Sequence, residues 1–558
     1  MANTHMTEDE KVLHGMGYAQ ELSRRMGTFQ NFAISFSIIC ILSGGLASFP
    51  IALSTAGPWM ATIGWVVGGV FALIVAASMG QIASAYPTAG GLYHWSSILG
   101  GKFWGWLTAW TNLLGLLFVI PAVNVILYGF IRDLFFSGIL GWDVSSWTNT
   151  TMYIWVAGIT AAQCLLNHFG IKLTTLLTDI SGYLIFVIAI LLTILLFTHV
   201  KSFDLGKAFA FANTTGDAGG GVAPAYGVVM AILMGMLYPL FTITGFDASA
   251  HTSEETRDAQ GTVHKGMLQS VFWSLVFGLL LALGMTLALP SVYDALAADP
   301  KQTVLSADAM KALAAIPGGP APADMAVLGW SSFSVLFNTL IAPSFLGKIC
   351  AIGIILANFF CALSAVTSTS RMIYAFARDR GIPGFLASVS PTYRTPIAAI
   401  WFTGIVSFIL VVVTTPLNAF AALSTGCAMY LYMSYGMPVV AGMMAEGKTW
   451  NTYGKFRLGG LSKLFGFIVL LGVIAIIIGG HAFVPSVAAV AADAAANPPV
   501  AGSSFVPGLW YYTVGFYAIL LIVWFAYEGK RFQGPPMGTE IAKRQAAIAA
   551  AEAALAKG

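Results

Sequence analysis

The chain has 558 residues, of which 58% are hydrophobic and only 9% are charged, and its mean hydropathy is +0.81. Soluble globular proteins carry about 25% charged residues, so this composition excludes an ordinary soluble domain and indicates a protein embedded in lipid. The net charge of +3 is too small to indicate a nucleic-acid partner, and we expect none.

Twelve apolar segments have the length that crosses a bilayer, whose hydrocarbon core needs about 20 residues of helix. We therefore predict an all-α integral membrane protein, and we number these segments spans 1 to 12 in chain order. Their predicted bounds are 32–54, 59–83, 104–135, 151–169, 174–200, 228–250, 266–289, 345–376, 396–415, 420–443, 464–483 and 511–527.

The basic residues predict how the spans are oriented. If the N terminus lies in the cytoplasm and the chain crosses twelve times, most of the 26 Lys and Arg residues fall on the cytoplasmic side, as the positive-inside rule requires. Both termini are then cytoplasmic, and the long connections 201–227, 290–344 and 484–509 are outer loops. The Ala- and Gly-rich composition favours a bacterial inner membrane.

Span 1 is interrupted near its middle by Ser43-Gly44-Gly45. Glycine lacks a Cβ and tolerates unwinding, and an unwound helix leaves backbone N–H and C=O groups that bind substrates or ions. We therefore predict that Ser43, Gly44 and Gly45 bind substrate. The alternative is a face of small residues that packs against another helix.

Span 6 is interrupted by Thr244-Gly245-Phe246-Asp247, which places a carboxylate near the bilayer midplane. Ionisable groups inside membranes are costly and usually functional. We predict that Thr244, Gly245 and Asp247 bind substrate and that Asp247 couples binding to a proton. A structural, hydrogen-bonded aspartate is the alternative. Phe241 or Phe246 is a candidate aromatic gate, and core or lipid packing is the alternative for both.

Other polar residues inside the spans are weaker candidates for function, among them Asn112, Asn124 and Asn358. The five cysteines, Cys40, Cys164, Cys350, Cys361 and Cys427, lie in apolar segments at unrelated spacings. They are typical of small buried hydrophobic residues, so we predict neither a disulfide nor a metal site. No cofactor is expected.

Four signatures, in order along the chain, carry a resemblance to a known family. They are RMGTFQNFA at 25–33, PTAGGLY at 87–93, TGFDASAHTSEE at 244–255 and SRMIYAFARDRGIP at 370–383. Together they resemble the amino acid–polyamine–organocation superfamily of transporters, and the third signature is most similar to its amino acid/choline branch, which includes GABA and choline permeases.

The resemblance implies a leucine-transporter-type fold, in which two inverted five-helix repeats form the core and two further helices are peripheral. The repeats would be 32–200 and 228–443, separated by the outer loop 201–227, and the peripheral helices would lie in 464–527. Residues 1–31 and 528–558 would be a cytoplasmic N-terminal segment and tail. The breaks in spans 1 and 6 then occupy equivalent places in the two repeats.

The resemblance leaves the coupling ion open. Several relatives carry a lysine inside span 5, whereas residues 179–187 of this chain contain none. Relatives that use sodium place hydroxyl groups of span 8 near the first break, so Thr367 and Ser368 are further coupling candidates beside Asp247. Hydroxyls bonded back to their own helix are the alternative.

Charged residues at the cytoplasmic ends of spans 6 and 8 have two interpretations. Arg371, Arg378 and Asp379 either lie in solvent near lipid headgroups or pair with acidic residues such as Glu254 and Glu255 to hold an inner gate shut. Exposed charge is the default expectation, because exposed ion pairs contribute little.

These features favour a secondary transporter for a small amino acid or amine, coupled to protons or sodium, over an enzyme. Asp247 favours a substrate with a cationic amine, such as GABA or an α-amino acid, and a pure cation such as choline or a polyamine is the alternative. A nutrient sensor on the same fold is a further alternative, although both tails are short. An enzyme is least favoured because the histidines are scattered and no phosphate-binding loop is present.

Overall fold

The structure is a computed structural model that describes residues 7–217, 220–223, 225–299, 301–302, 304–495, 509–536, 541, 548–549 and 552. Within these ranges the regular structure is helical, apart from two isolated β-bridges, Met26 with Thr256 and Glu446 with Trp450. The predicted all-α class is confirmed.

The first half of the chain contains spans 1 to 5 and three short helices outside them. Its helices are α1 (Glu8–Gly15), α2 (Thr28–Ile39), α3 (Gly44–Ala47), α4 (Phe49–Leu53), α5 (Trp65–Ala85), α6 (Leu92–Gly100), α7 (Lys102–Phe130), α8 (Asn149–His168), α9 (Ile171–Thr198) and α10 (Leu205–Ala208). Span 1 consists of α2, α3 and α4. Spans 2 to 5 are α5, α7, α8 and α9.

The second half contains spans 6 to 12. Its helices are α11 (Val228–Gly235), α12 (Leu237–Thr242), α13 (Ala248–His251), α14 (Ala259–Ala298), α15 (Ala307–Ala314), α16 (Ser332–Leu336), α17 (Phe345–Arg378), α18 (Ile397–Thr414), α19 (Ala419–Ala445), α20 (Ser462–Ala495), α21 (Leu509–Val523) and α22 (Gly529–Arg531). Span 6 consists of α11, α12 and α13. Spans 7 to 12 are α14, α17, α18, α19, α20 and α21.

Ten helical segments of the described chain are long and apolar enough to cross a membrane by length and composition. Nine of them are predicted spans. The tenth, Asp324–Ile341, lies in the predicted outer loop 290–344 and is kinked at Gly329, where φ is 50°. Spans 4, 6 and 10 are absent from the ten because span 6 is divided and the other two contain more polar residues.

The spans pack as the inverted-repeat fold requires. The broken spans 1 and 6 lie side by side at the centre, span 3 packs along span 10, and span 2 packs along span 7. Spans 11 and 12 are peripheral, since only 22% of each apolar window is buried in the protein. Their exposed apolar side chains, such as Ile522 and Phe525, form a surface suited to lipid.

Two names describe the ends of the bundle below. We call the face that carries residues 7–27 the N-side and the opposite face the far side. Span 1 runs from the N-side to the far side and span 6 runs back, so the two breaks lie antiparallel at mid-depth. Span 7 is longer than predicted, because its helix continues through Pro290 to Ala298 on the far side.

Candidate functional site

The two broken spans contact each other at their breaks. The chain leaves helical geometry at residues 40–43 in span 1 and 243–247 in span 6. A Cβ added to Gly44 would lie 2.9 Å from the Cα of Thr242, and one added to Gly245 would collide with Ile38. The prediction that spans 1 and 6 are both broken is confirmed.

The glycines of span 1 have a different role from the predicted one. Gly44 and Gly45 begin the helix that follows the break, whereas the unwound residues start at Cys40, whose φ is 23°. Gly44 is needed because the backbone of span 6 lies against it, so the packing alternative describes this residue. In span 6, Gly245 has φ 83°, a left-handed conformation that favours glycine, as the predicted opening requires.

Asp247 is fully buried in the break of span 6, and polar side chains surround its carboxylate. Tyr435 of span 10 donates its hydroxyl to Oδ1 at 2.8 Å, and Asn112 of span 3 donates its amide to Oδ2 at 3.1 Å. His251 places Nε2 3.2 Å from Oδ2. Within the described residues, no Lys or Arg forms an ion pair with Asp247. The contacts fit a structural aspartate, and the lack of a fixed Lys or Arg also fits a carboxylate that awaits a cation.

Two tyrosines of span 10 hold the break of span 6 open. The hydroxyl of Tyr435 accepts the N–H of Gly245 at 3.0 Å while it donates to Asp247. Tyr432 donates its hydroxyl to the carbonyl of Ile243. These bonds replace the helical partners that the backbone loses at the break, which is the condition for irregular backbone inside a membrane.

The remaining predicted binding residues divide between the break and the core. Ser43 is 1% exposed, and its hydroxyl lies in the break beside the thiol of Cys361. The Thr244 hydroxyl lies 3.5 Å from that of Tyr435. Phe246 is fully buried against the ring of Tyr435, at 4.9 Å between centroids, which places it in the core.

Span 8 contacts the first break at other residues than Thr367 and Ser368. Asn358 donates its amide to the carbonyl of Leu42 at 3.1 Å, and the Cys361 thiol lies 3.2 Å from the carbonyl of Ile38. The Thr367 hydroxyl instead lies 2.7 Å from the side-chain oxygen of Asn167 in span 4 and 3.1 Å from the carbonyl of Leu363 in its own helix. The second contact is the alternative in which the hydroxyl bonds back to its own helix. Thr367 and Ser368 lie at least one helical turn nearer the N-side than the residues of span 8 that contact the break. The sequence does not show which turn of span 8 meets the break, because it does not specify the tilt of the helix.

Ser368 is buried without a hydrogen-bond partner among the described residues, so no hydrogen bond joins its hydroxyl to the break. It lies next to Thr367 on the N-side of Cys361 in span 8. The residues that span 8 brings to the break are therefore Asn358 and Cys361, an amide and a thiol.

Aromatic rings cover the site on the far side. Phe241 is 5% exposed and packs edge-on against Phe420 of span 10, at 6.0 Å between centroids. Trp330 of the kinked outer-loop helix also packs against Phe420, at 5.9 Å between centroids. Above them lies a cavity of about 220 Å³ that Ala47 and Asp133 help to line. Of the two candidate gate residues, Phe241 is the one that packs against a ring lining this cavity, that of Phe420.

Two buried ion pairs close the site on the N-side. Arg371 binds Glu255 through two hydrogen bonds, of 3.0 and 3.1 Å, and both side chains are fully buried. Arg378 binds Glu254 in the same way, at 2.9 and 3.1 Å. The expectation of exposed charge is wrong here, and the pairing alternative is correct. Bidentate pairs of this kind fix the relative position of spans 6 and 8.

The N-terminal segment lies across this closed end. Tyr18 donates its hydroxyl to Asp379 at 2.7 Å, and the Arg378 guanidinium lies 3.9 Å above the Tyr18 ring. The backbone N–H of Met26 donates to the carbonyl of Glu255 at 2.8 Å. Burial raises the pKa of Glu254, but the charge and hydrogen bond of Arg378 and the N–H of Ala89, with a further contribution from the charge of Arg24, together outweigh burial and hold this pKa below its ordinary value. The closed N-side therefore contains an ionised Glu254.

The C-terminal tail contacts the same segment. Glu552 places Oε1 2.8 Å from Nε2 of His14 and accepts the backbone N–H of Gln20 at 2.9 Å. Gly17 packs against Pro536. Both chain ends thus meet over the N-side pairs.

Several residues that surround Asp247 were not among the predicted site residues. Asn112 was only a weak candidate, and Tyr432, Tyr435 and His251 were given no role. A signal was present for span 10, since 430–435 places three tyrosines and a serine inside one span, where polar groups need partners. His251 follows Asp247 by four residues, which puts both on one helical face.

Comparison with known proteins agrees with this architecture. A family model described as amino acid permease matches residues 26–482. The amino-acid permease BAT1 of Arabidopsis thaliana is 30% identical over 484 residues, which are 84% of this chain and 88% of BAT1. The GABA-specific permease of Saccharomyces cerevisiae is 27% identical over 414 residues, which are 72% of this chain and 66% of that permease.

A solved structure has the same fold. The crystal structure of MhsT in complex with L-phenylalanine superposes with a TM-score of 0.52 at 13% identity, and the match covers 82% of this chain and 98% of MhsT. At this identity the similarity concerns the fold alone. The leucine-transporter-type arrangement expected from the four signatures is therefore present.

Proposed function

Because the chain belongs to the amino acid permease family, we propose that it is a secondary active transporter that moves a small amino acid or amine by alternating access, driven by protons. The substrate amine binds Asp247, and the breaks of spans 1 and 6 supply backbone groups and the Ser43 hydroxyl for its other end. Both termini lie in the cytoplasm, so the N-side is the inner face.

The observation that carries this proposal is the environment of Asp247. A fully buried carboxylate between two broken helices, with no Lys or Arg paired to it in the described residues, favours a ligand that brings a positive charge. Nearby aromatic rings also suit a pure cation through cation–π attraction, so a choline- or polyamine-type substrate is the second candidate. A sensor that binds but does not transport is the third.

Transport requires that the two covers open in turn. The aromatic layer of Phe241 and Phe420 must move to admit substrate from the far side, and the Arg371–Glu255 and Arg378–Glu254 pairs must separate to release it on the N-side. A buried charge left without its partner costs about 3–5 kcal/mol, so opening the N-side requires hydration or new partners for these four groups.

Uptake by purified protein in proteoliposomes tests the proposal. Radiolabelled GABA, L-alanine, L-phenylalanine and choline are offered with and without an inward proton gradient or an inward sodium gradient. We expect accumulation of an amino acid that the proton gradient stimulates. Accumulation of choline alone supports the cation alternative, sodium-driven uptake contradicts proton coupling, and binding without flux supports the sensor.

A further inference from the structure

His251 is a buried histidine whose two ring nitrogens both face hydrogen-bond acceptors. Nε2 lies 3.2 Å from the carboxylate oxygen Oδ2 of Asp247, and Nδ1 lies 3.0 Å from the backbone carbonyl of Ala89. The side chains of His251 and Asp247 are both 0% exposed. A neutral imidazole has one N–H donor, so it satisfies only one of these two contacts when the carboxylate is ionised.

An additional proton resolves this mismatch. Either His251 is an imidazolium that donates to both acceptors, or Asp247 is a carboxylic acid that donates to Nε2 while Nδ1–H donates to Ala89. In both arrangements the pair holds one proton more than an ionised aspartate with a neutral histidine. The hydrogen-bond geometry is therefore that of a proton-loaded pair.

The same pair is joined to the N-side gate through one residue. The N–H of Ala89 donates to Oε1 of Glu254 at 3.0 Å, and Glu254 binds Arg378. Gly91 lies against the imidazole, where a Cβ would come within 3.3 Å of the ring, and its φ of 46° favours glycine. The segment around Ala89 thus contacts the imidazole directly, so a movement of the His251 ring also displaces this segment.

We propose that Asp247 and His251 form the proton-binding site of the transporter, and that the bound proton favours the closed N-side through the chain His251–Ala89–Glu254. This inference rests on the proposed function and adds to it a second proton-binding residue and a path to the gate. Loss of the proton removes one of the two His251 contacts and loosens the Ala89 segment, which weakens the support of the Glu254–Arg378 pair.

No charged neighbour of the Asp247–His251 pair, among the described residues, neutralises Asp247. Span 1 presents only the neutral Ser35 and Asn31 to the adjoining Ser249, and span 3 presents Asn112. Among the described residues, the charged or titratable groups around the pair on its own segment, span 10 and span 8 are Asp247, Glu254, Glu255, Tyr435, Cys427, Arg371 and Arg378. Both arginines are paired with the two glutamates, so they do not neutralise Asp247.

The variant His251→Gln tests the proposal, with His264→Gln as its control. Glutamine offers hydrogen-bonding groups but cannot take up a proton, and His264 is a buried histidine bonded to its own helix. In proteoliposomes, substrate/substrate counterflow at equal pH requires no net proton movement, whereas accumulation by an imposed pH gradient does. The substrate is whichever of the four panel compounds the wild type transports.

We expect His251→Gln to retain counterflow while stimulation by the pH gradient is lost, and His264→Gln to match the wild type in both assays. Gradient-driven accumulation at the wild-type level in His251→Gln overturns the proposal. Loss of counterflow together with accumulation also overturns it, because the residue then has a structural role. If the wild type transports none of the compounds, the proposed function falls instead.

Discussion

Three side chains from three segments meet at the carboxylate of Asp247. Tyr435 and Asn112 donate to it from spans 10 and 3, and His251 faces it from the segment that follows the break. Span 10 therefore both opens the backbone of span 6 and orients its acid. In the proposed mechanism, a substrate amine replaces some of these donors at the carboxylate.

The variant Asp247→Asn removes the charge and keeps a side chain of the same shape. We expect loss of gradient-driven accumulation and a large rise in the KM of any residual flux, because an amide neither attracts an ammonium group as strongly nor binds a proton. Asp179→Asn is the control, since Asp179 is bonded to Gln30 near the N-side end of span 5. Wild-type uptake and pH dependence in Asp247→Asn would refute its role.

The variant Tyr435→Phe removes one hydroxyl that serves two partners, Asp247 and the N–H of Gly245. Each buried group left without a partner costs about 1–3 kcal/mol, so thermal stability falls. Tyr430→Phe is the matched control because that hydroxyl, on the same helix, bonds Thr513 of span 12 at 2.8 Å. Both variants should melt at lower temperature, but only Tyr435→Phe should change the KM for substrate.

The sequence identifies Asp247 as a candidate site residue but does not identify the side chains that bind its carboxylate. A carboxylate in an apolar segment is rare and costly, so it is visible without any knowledge of neighbours. Tyr435 and Asn112 become neighbours only when spans 3, 6 and 10 pack, and nothing in the order of residues specifies which helical face meets which.

At the scale of the helix, the two breaks use glycine in two ways. Gly245 adopts a left-handed conformation inside its break, whereas Gly44 lies just after its break and allows the backbones of spans 1 and 6 to touch. Residues 40–43 unwind although their composition is that of an ordinary apolar helix. The sequence therefore located both breaks within a helical turn but assigned the unwinding in span 1 to the wrong residues.

The neighbouring glycines of span 1 provide a matched pair of substitutions. In Gly44→Ala the new methyl would lie 2.9 Å from the Cα of Thr242, so spans 1 and 6 must separate, at a typical cost of about 1–3 kcal/mol. In Gly45→Ala the nearest atoms are 3.7 Å away, an ordinary contact. We expect Gly44→Ala to lose most uptake and Gly45→Ala to retain it, measured at equal protein in proteoliposomes. Equal uptake by the two variants would contradict this account of the contact.

At the scale of the molecule, the structure is closed on both sides by different chemistry. Aromatic rings cover the far side, whereas buried ion pairs and the N-terminal segment close the N-side. Hydropathy predicted the positions and order of the long apolar helices, because each must cross the same thickness of lipid. It could not predict that the charges at the ends of spans 6 and 8 are buried, since that depends on residues 18–26 folding over them.

The buried N-side also makes a pH prediction through His94 of α6. Burial, with a smaller effect of the Arg378 charge, lowers the pKa of His94 to about 3. Below pH 6.5 the unfolded chain therefore binds a proton at His94 that the folded protein does not bind. The free energy of unfolding decreases as pH falls from 6.5 towards 3, by about 1.4 kcal/mol per pH unit well below 6.5.

His94→Phe removes this titration and keeps an aromatic ring against Tyr18. The melting temperature of this variant in detergent should therefore decline less between pH 6.5 and 4.5 than that of the wild type. A decline as steep as that of the wild type would show that other groups control acid stability.

The contact of Glu552 with His14 and the backbone of Gln20 has a practical consequence for handling the protein. Glu552 contacts the N-terminal segment, which in the proposed mechanism moves when substrate is released on the N-side, so a bulky fusion partner or affinity tag at the carboxyl end is expected to affect release. Fluorescent reporters and immobilisation tags attached there should alter turnover even though they are remote from the substrate, and clipping them off with a protease should restore it.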